Sequence, residues 1–266
     1  MTSIADHGTT GGIDVSVDGA VARVTLTRPA KMNSLDVATL EGLAAVAAAL
    51  DRDEAVKVAV IRGEGRCFSA GYDLGQGLPS GAGHLLGAPD VGRAMAEAIA
   101  GMRAVTIASI HGHCIGGGVV LAAACDLRIA ARSTRFRIPE VDIGVPLYWA
   151  GIPLLAREMG PAVTKELVMT GREFSADEAQ RLGFLNRNVE DDELGAATDE
   201  LAATLAAKAA LVLRTTKTQV NDAVPLMGFH DQGAAAEIEG MAAAFADEEG
   251  RRLAGEYLER LLGGSA

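Results

Sequence analysis

The sequence predicts an α/β fold built of successive β-β-α units and closed by an almost wholly helical C-terminal region. Three observations predict it. Apolar and polar residues alternate near the start, as half-buried strands require. Short, continuously apolar runs then alternate with a helical stripe and a glycine-led short helix, as buried strands joined by helices do. Past residue 150 the apolar spacing becomes helical. With 266 residues the chain can bury one large core, and because 49% of it is hydrophobic but only 4% aromatic, Ala, Val and Leu do the packing.

The elements follow in order. "IDVSVDGAVARVTLTRP" alternates on both sides of Asp18-Gly19, the pattern of a tight hairpin. In "NSLDVATLEGLAAVAAALDRD", Leu40, Leu43, Val46, Ala47 and Leu50 share one helical stripe. "VKVAVIRGEG" is a strand apolar enough for burial on both faces. "GMRAVTIASIHG", "GGGVVLAAACD" and "LRIAARSTRFRI" repeat the plan as strand, short helix and more strand, and residues 75 to 90, rich in Gly and Pro, form a loop between the halves. Ser175 and Glu178 have the spacing of a capping box and Gly183 ends that helix. After a last strand in "FLNRNVE", residues 191 to 262 read as three or four helices. The expected division is a core over 1–195 and a helical region over 196–266. The stripe Met241, Phe245, Leu253, Tyr257 and Leu261 must then pack on the core or on another subunit.

Composition narrows the function. A net charge of −11 argues against nucleic acid or an anionic membrane as partner. The sequence holds no apolar run of the roughly 20 residues that span a bilayer, and "MTSIADHGTTGG" lacks the basic and apolar parts of a leader, so the expected location is the cytoplasm. Cys67, Cys114 and Cys125 show no ligand spacing and read as reduced structural thiols, with no metal called for. An anionic ligand would need a local basic patch, for which Arg28, Lys31, Arg62, Arg66 and Lys217 are candidates.

Two segments can carry chemistry. "RCFSAGYDLG" and "HCIGGGVV" each run from a buried strand through small residues to a turn or helix start, where backbone N–H groups lack intrachain partners. Side by side, two such ends aim two donors at one point, the geometry that stabilises charge developing on a carbonyl oxygen. On its own, the triplet Gly116 to Gly118 reads first as what tight helix–strand packing uses.

"RPAKMNSLD", "FSAGYDL", "IHGHCIGGGVVLAAACDLRIAA" and "IPEVDIGV", in this order, resemble the enoyl-CoA hydratase/isomerase family, the crotonase superfamily. The resemblance covers roughly residues 13 to 222 and weakens in the last helices. It implies a crotonase spiral of the type shared with the ClpP proteases, and a homotrimer, or a hexamer of paired trimers, assembled through the C-terminal helices. The implied substrate is an acyl-CoA thioester, and since coenzyme A arrives as part of it, no separate cofactor. It further implies that the N–H groups of Tyr72 and Gly117 form the oxyanion hole, that Gly116, Asp73, Leu74 and Gly75 line the site, and that Lys31 and Ala70 grip the CoA nucleotide.

Hydratases of the family use two glutamates. The second of these positions is Glu140, but the first is Val120 here. One glutamate suffices for reactions like those of the Δ3/Δ2-enoyl-CoA isomerases, so the expected activity is double-bond isomerisation with Glu140 as the acid/base. A hydratase working with one glutamate is the alternative, and a non-catalytic acyl-CoA binder a further one. The related dienoyl-CoA isomerases carry an aspartate where this chain has Tyr148, so Tyr148 and Trp149 are expected as pocket wall or core. Asp142 reads as a turn residue, and His111 and His113 as core or turn histidines without a third ligand. The C-terminal sequence "DEEGRRLAGEYLERLLGG" lacks the Phe- and Lys-bearing ending usual in the family, which leaves a lysine contact to CoA phosphate open.

Overall fold

The computed structural model describes residues 11–74, 88–226 and 233–263. The expected hairpin is present: β1 (Ile13–Asp18) pairs antiparallel with β2 (Val21–Leu26) across Gly19. Helix α1 (Val37–Arg52) follows, capped by Asp36, whose carboxylate accepts the Thr39 N–H at 2.8 Å. Next come β3 (Val58–Gly63), α2 (Ala88–Ala100), β4 (Val105–Ile110), β5 (His113–Ile115) and α3 (Gly117–Ala124). The chain continues with β6 (Leu127–Ala131), β7 (Arg135–Arg137), a 3-10 turn over Glu140–Ile143, α4 (Gly151–Met159) and α5 (Pro161–Thr170).

After the β1–β2 hairpin, neighbouring strands do not stay together. β4 and β6 join a six-stranded sheet of order β1-β2-β3-β4-β6-β9, while β5 and β7, which follow them in the chain, join a small sheet of order β5-β7-β8, with β8 at Phe174–Ser175 and β9 at Arg187–Val189. That is why "LRIAARSTRFRI" breaks at Arg132–Thr134: its two halves serve different sheets. Parallel bridges Leu35–Tyr72 and Ser69–Cys114 carry the second alignment back into the earlier units. The result is a spiral in which one edge of every turn ends beside the next.

Period-two alternation sends the two faces of the large sheet into different cores. Ala59 and Ile61 of β3 face the main core with Leu26, Leu40, Leu43 and Phe68, while Val58 and Val60 face a second layer with Ile107, Ile129 and Ala131. Leu194 and Ala202 of α7 (Leu194–Ala206) close that second layer, so the helix at the expected 195/196 division covers the sheet. Between β8 and β9, α6 (Ala176–Arg181) has half of the expected capping box: Ser175 Oγ accepts the Glu178 N–H at 3.2 Å, but the Glu178 carboxylate turns to Arg172 at 2.7 Å.

The remaining helices are α8 (Ala210–Leu226), α9 (Gly233–Ala246) and α10 (Glu248–Gly263). Met241 of α9 is buried in the main core, with Ile238 and Phe245 packed against it, so this part of the stripe is met by the chain's own core. Helix α10 lies against the 3-10 turn, with the Gly250 carbonyl packed on Gly144. Lys217 of α8 reaches Asp126 at 2.7 Å, which in turn accepts from the Thr106 N–H. Among the described residues no helix is long and apolar enough to cross a membrane.

Candidate active site

Strand register assembles the site. The Ser69 N–H donates to His113 O at 3.1 Å and the Ile115 N–H to Ser69 O at 3.0 Å, so residues 69–72 run beside 113–117. The backbone at Gly71 is pressed against this neighbour: a Cβ there would lie 2.6 Å from the Ile115 carbonyl oxygen and 3.1 Å from the Gly117 nitrogen. On the other side, the Leu35 N–H donates to Gly71 O and the Asp73 N–H to Leu35 O. A parallel bridge made this way uses residues 71 and 73 and turns the N–H of Tyr72 away from Leu35. Gly117 opens α3, where the first-turn N–H groups have no intrahelical acceptor. Neither the Tyr72 N–H nor the Gly117 N–H has a hydrogen-bond partner among the described residues.

Glu140 arrives by the same logic. The Gly116 N–H donates to Arg137 O at 2.9 Å, prolonging the β5–β7 ladder, and three residues later Glu140 starts the 3-10 turn against Gly116. A Cβ on Gly116 would lie 2.6 Å from Glu140 Oε1, and its φ of +50° with ψ of −117° is a conformation that a side chain resists. Glu140 Oε2 is buried without a hydrogen-bond partner among the described residues. Burial raises this carboxyl from its ordinary 4.5 to about 7, against a smaller lowering by a backbone hydrogen bond.

Apolar groups line the site as well. The indole of Trp149 lies on Gly117, where a Cβ would overlap the ring, and meets the Tyr72 ring edge-on at 6.2 Å and 74°. Val120, one turn into α3, is fully buried, and a Cβ on Gly151 would lie 2.9 Å from its Cγ2 and 2.8 Å from Leu147. Tyr148 and Trp149 are both buried, and burial ahead of Asp73 and Asp36 raises the Tyr72 phenol.

The other expected residues divide. Lys31 is exposed at the end of a short 3-10 turn, and Ala70 is brought near it by its N–H bond to Met32 O at 2.9 Å. Asp73 is buried and held by Arg28 Nη2 at 2.8 Å, and that guanidinium also reaches Asp36 at 3.1 Å. Leu74 is half-buried, and Gly75 lies outside the described residues. Of the basic candidates, Arg28 and Lys217 are engaged by internal carboxylates. His111 meets the Gly65 carbonyl at 2.9 Å, His113 is exposed, and Asp142 pairs with Arg137 at 2.7 Å.

Sequence reasoning missed two features. Trp149 and Ala150 both have left-handed backbone, with φ of +62° and +57°. Arg93 of α2 and Glu237 of α9, the second indistinguishable in sequence from a surface charge, form a 3.0 Å ion pair with side-chain exposures of 8% and 14%. A cation among small apolar residues in "VGRAMAEAIA" was the available signal for the first.

Comparison with known proteins identifies the family and the fold. The family profile for enoyl-CoA hydratase/isomerase matches residues 16–262. A crotonyl-CoA hydratase of Syntrophomonas wolfei subsp. wolfei is 31% identical over 90% of this chain and 92% of its own length. An enoyl-CoA hydratase/isomerase structure from Mycobacterium paratuberculosis superposes with a TM-score of 0.83 at 27% identity, covering 92% of this chain and 98% of that one. A Thermobifida fusca YX structure described as an enoyl-CoA hydratase in complex with CoA has a TM-score of 0.75 at 29% identity, covering 96% and 95%. The spiral is thus the crotonase fold, and the chain belongs to the enoyl-CoA hydratase/isomerase family.

Proposed function

We propose that the chain is an enzyme that stabilises the enolate of an enoyl-CoA thioester and moves its double bond between C3 and C2, with Glu140 as the only acid/base. The observation that carries this reading is a buried carboxyl at about 7 beside two backbone N–H groups that have no partner among the described residues. In the proposed step, ionised Glu140 takes a proton from C2, and the C–H electron pair delocalises through C3–C4 and onto the thioester oxygen. The N–H groups of Tyr72 and Gly117 receive that charge, each donor contributing about 3 kcal/mol to the transition state. Protonated Glu140 then returns the proton to C4, leaving the conjugated 2-enoyl ester. No water enters the balance.

Val120 supports isomerisation, since a buried valine offers nothing to position a nucleophilic water. The names of relatives favour the second reading, hydration, as with the crotonyl-CoA hydratase above. Lys31, Ala70, Leu74, Gly75 and Gly116 belong to the proposed binding surface, and coenzyme A enters as part of the substrate with no further cofactor. A homotrimer, or a hexamer of paired trimers, belongs to the same proposal, with Leu211, Val212 and Val220 of α8 as exposed apolar surface for it.

The test is a paired assay of 3-enoyl-CoA and 2-enoyl-CoA, followed by ultraviolet absorbance and product mass. A double-bond shift without mass gain supports the isomerase, and gain of one water transfers the site to the hydratase reading. Tight ester binding without either product leaves the non-catalytic binder.

A further inference from the structure

We propose that Trp149 is the end wall of the acyl pocket and restricts the site to short acyl chains, an inference that rests on the acyl-CoA reading above. The indole lies on Gly117, so a thioester oxygen held by the Gly117 N–H has its acyl carbons beginning beside the ring. Tyr72 meets the same ring edge-on. Leu147 and Val120, packed around Gly151 two residues on from Trp149, are also fully or almost fully buried and continue the apolar wall.

The wall is braced. Left-handed backbone at two successive non-glycine residues is uncommon and persists only where the surroundings hold it. Here the Ala150 N–H donates to Glu237 Oε1 at 2.9 Å, and Glu237 is ion-paired with Arg93 at 3.0 Å. The residue before Arg93 is Gly92, whose missing side chain leaves room for the indole Nε1 edge. Helices α2, α3 and α9 therefore grip one ring and the two residues that present it. Gly92 and Gly117 are the two floors on which it rests, which gives the first glycine a purpose that helix propensity does not.

Calorimetric titration with butyryl-CoA and octanoyl-CoA, both unable to react, tests the wall. In the native protein octanoyl-CoA is expected to bind about tenfold more weakly than butyryl-CoA or worse, against the usual gain from added methylenes. In Trp149→Ala, and in Trp149→Leu, which keeps more of the buried volume, the order is expected to reverse. Trp149 is the sole tryptophan of the chain, so butyryl-CoA must also change its intrinsic fluorescence. Equal or tighter octanoyl-CoA binding by the native protein overturns the proposal without any variant, as does unchanged emission on saturation or an unchanged order in folded variants. If neither ester binds, the acyl-CoA reading itself fails, and the wall with it.

Discussion

Replacing Glu140 by glutamine should stabilise the protein in a pH-dependent way while destroying its proposed chemistry. The folded state holds this carboxyl at about 7 against an ordinary 4.5 because burial penalises the charge. A raised carboxyl pKa means that the folded state binds the proton more tightly than the unfolded chain. The associated stability is fully present below 4.5 and is lost as pH rises through about 7. At about 1.4 kcal/mol per pKa unit, the native protein at pH 8 has given up about 3 kcal/mol that an uncharged amide retains. Urea unfolding of both proteins near pH 4.5 and pH 8 measures it. The two should be nearly equal in the acid and differ by about 3 kcal/mol, glutamine the more stable, in the base. A difference independent of pH, or a native protein that gains on glutamine as pH rises, refutes the claim that burial sets the ionisation of Glu140.

Further outcomes follow from the same geometry. If ionised Glu140 is the base, kcat/KM for a 3-enoyl-CoA rises with pH through about 7 and then levels; a rate flat from pH 5 to 9 contradicts it. Gly117→Ala sets a methyl group into the Trp149 ring and displaces the N–H beside it, so turnover should fall by about 10²–10³ with a lowered melting temperature. Arg128 is fully buried, pairs with Glu158, donates to Cys125 O at 2.7 Å and lies 5.2 Å from the Phe184 ring centre. Its replacement by alanine should cost about 3–5 kcal/mol in chemical unfolding, because the buried carbonyls of Phe184 and Cys125 lose their donor and Glu158 is left with Arg157 alone.

Much of this could be read before the fold was known, for reasons that differ by residue. The hairpin at Asp18-Gly19 and the cap at Ser175 are local, and local chemistry determines them. Glu140 and the proposed donors at Tyr72 and Gly117 are singled out in sequence only by four motifs in register, since spacing alone cannot bring positions 72, 117 and 140 together. That task falls to strand pairings such as Ser69–Cys114 and Ile115–Arg137, which join segments distant in sequence. The distribution of strands between two sheets was not legible, because a buried strand reads the same in either. Arg93 and Glu237 were missed for a related reason: each looks solvated until the helix carrying the other covers it. Asp73 was expected only to line the pocket, and the pull of Arg28 on it depends on a backbone reversal at Met32 and Asn33 that no periodicity signals.

The central claim is that Glu140 performs the proton transfer on a bound acyl-CoA. Glu140→Ala should bind butyryl-CoA as the native protein does, yet turn over enoyl-CoA about 10²–10⁴ times more slowly at neutral pH. Turnover within a few-fold of native in that variant, with the protein folded and the ester bound, would contradict the account.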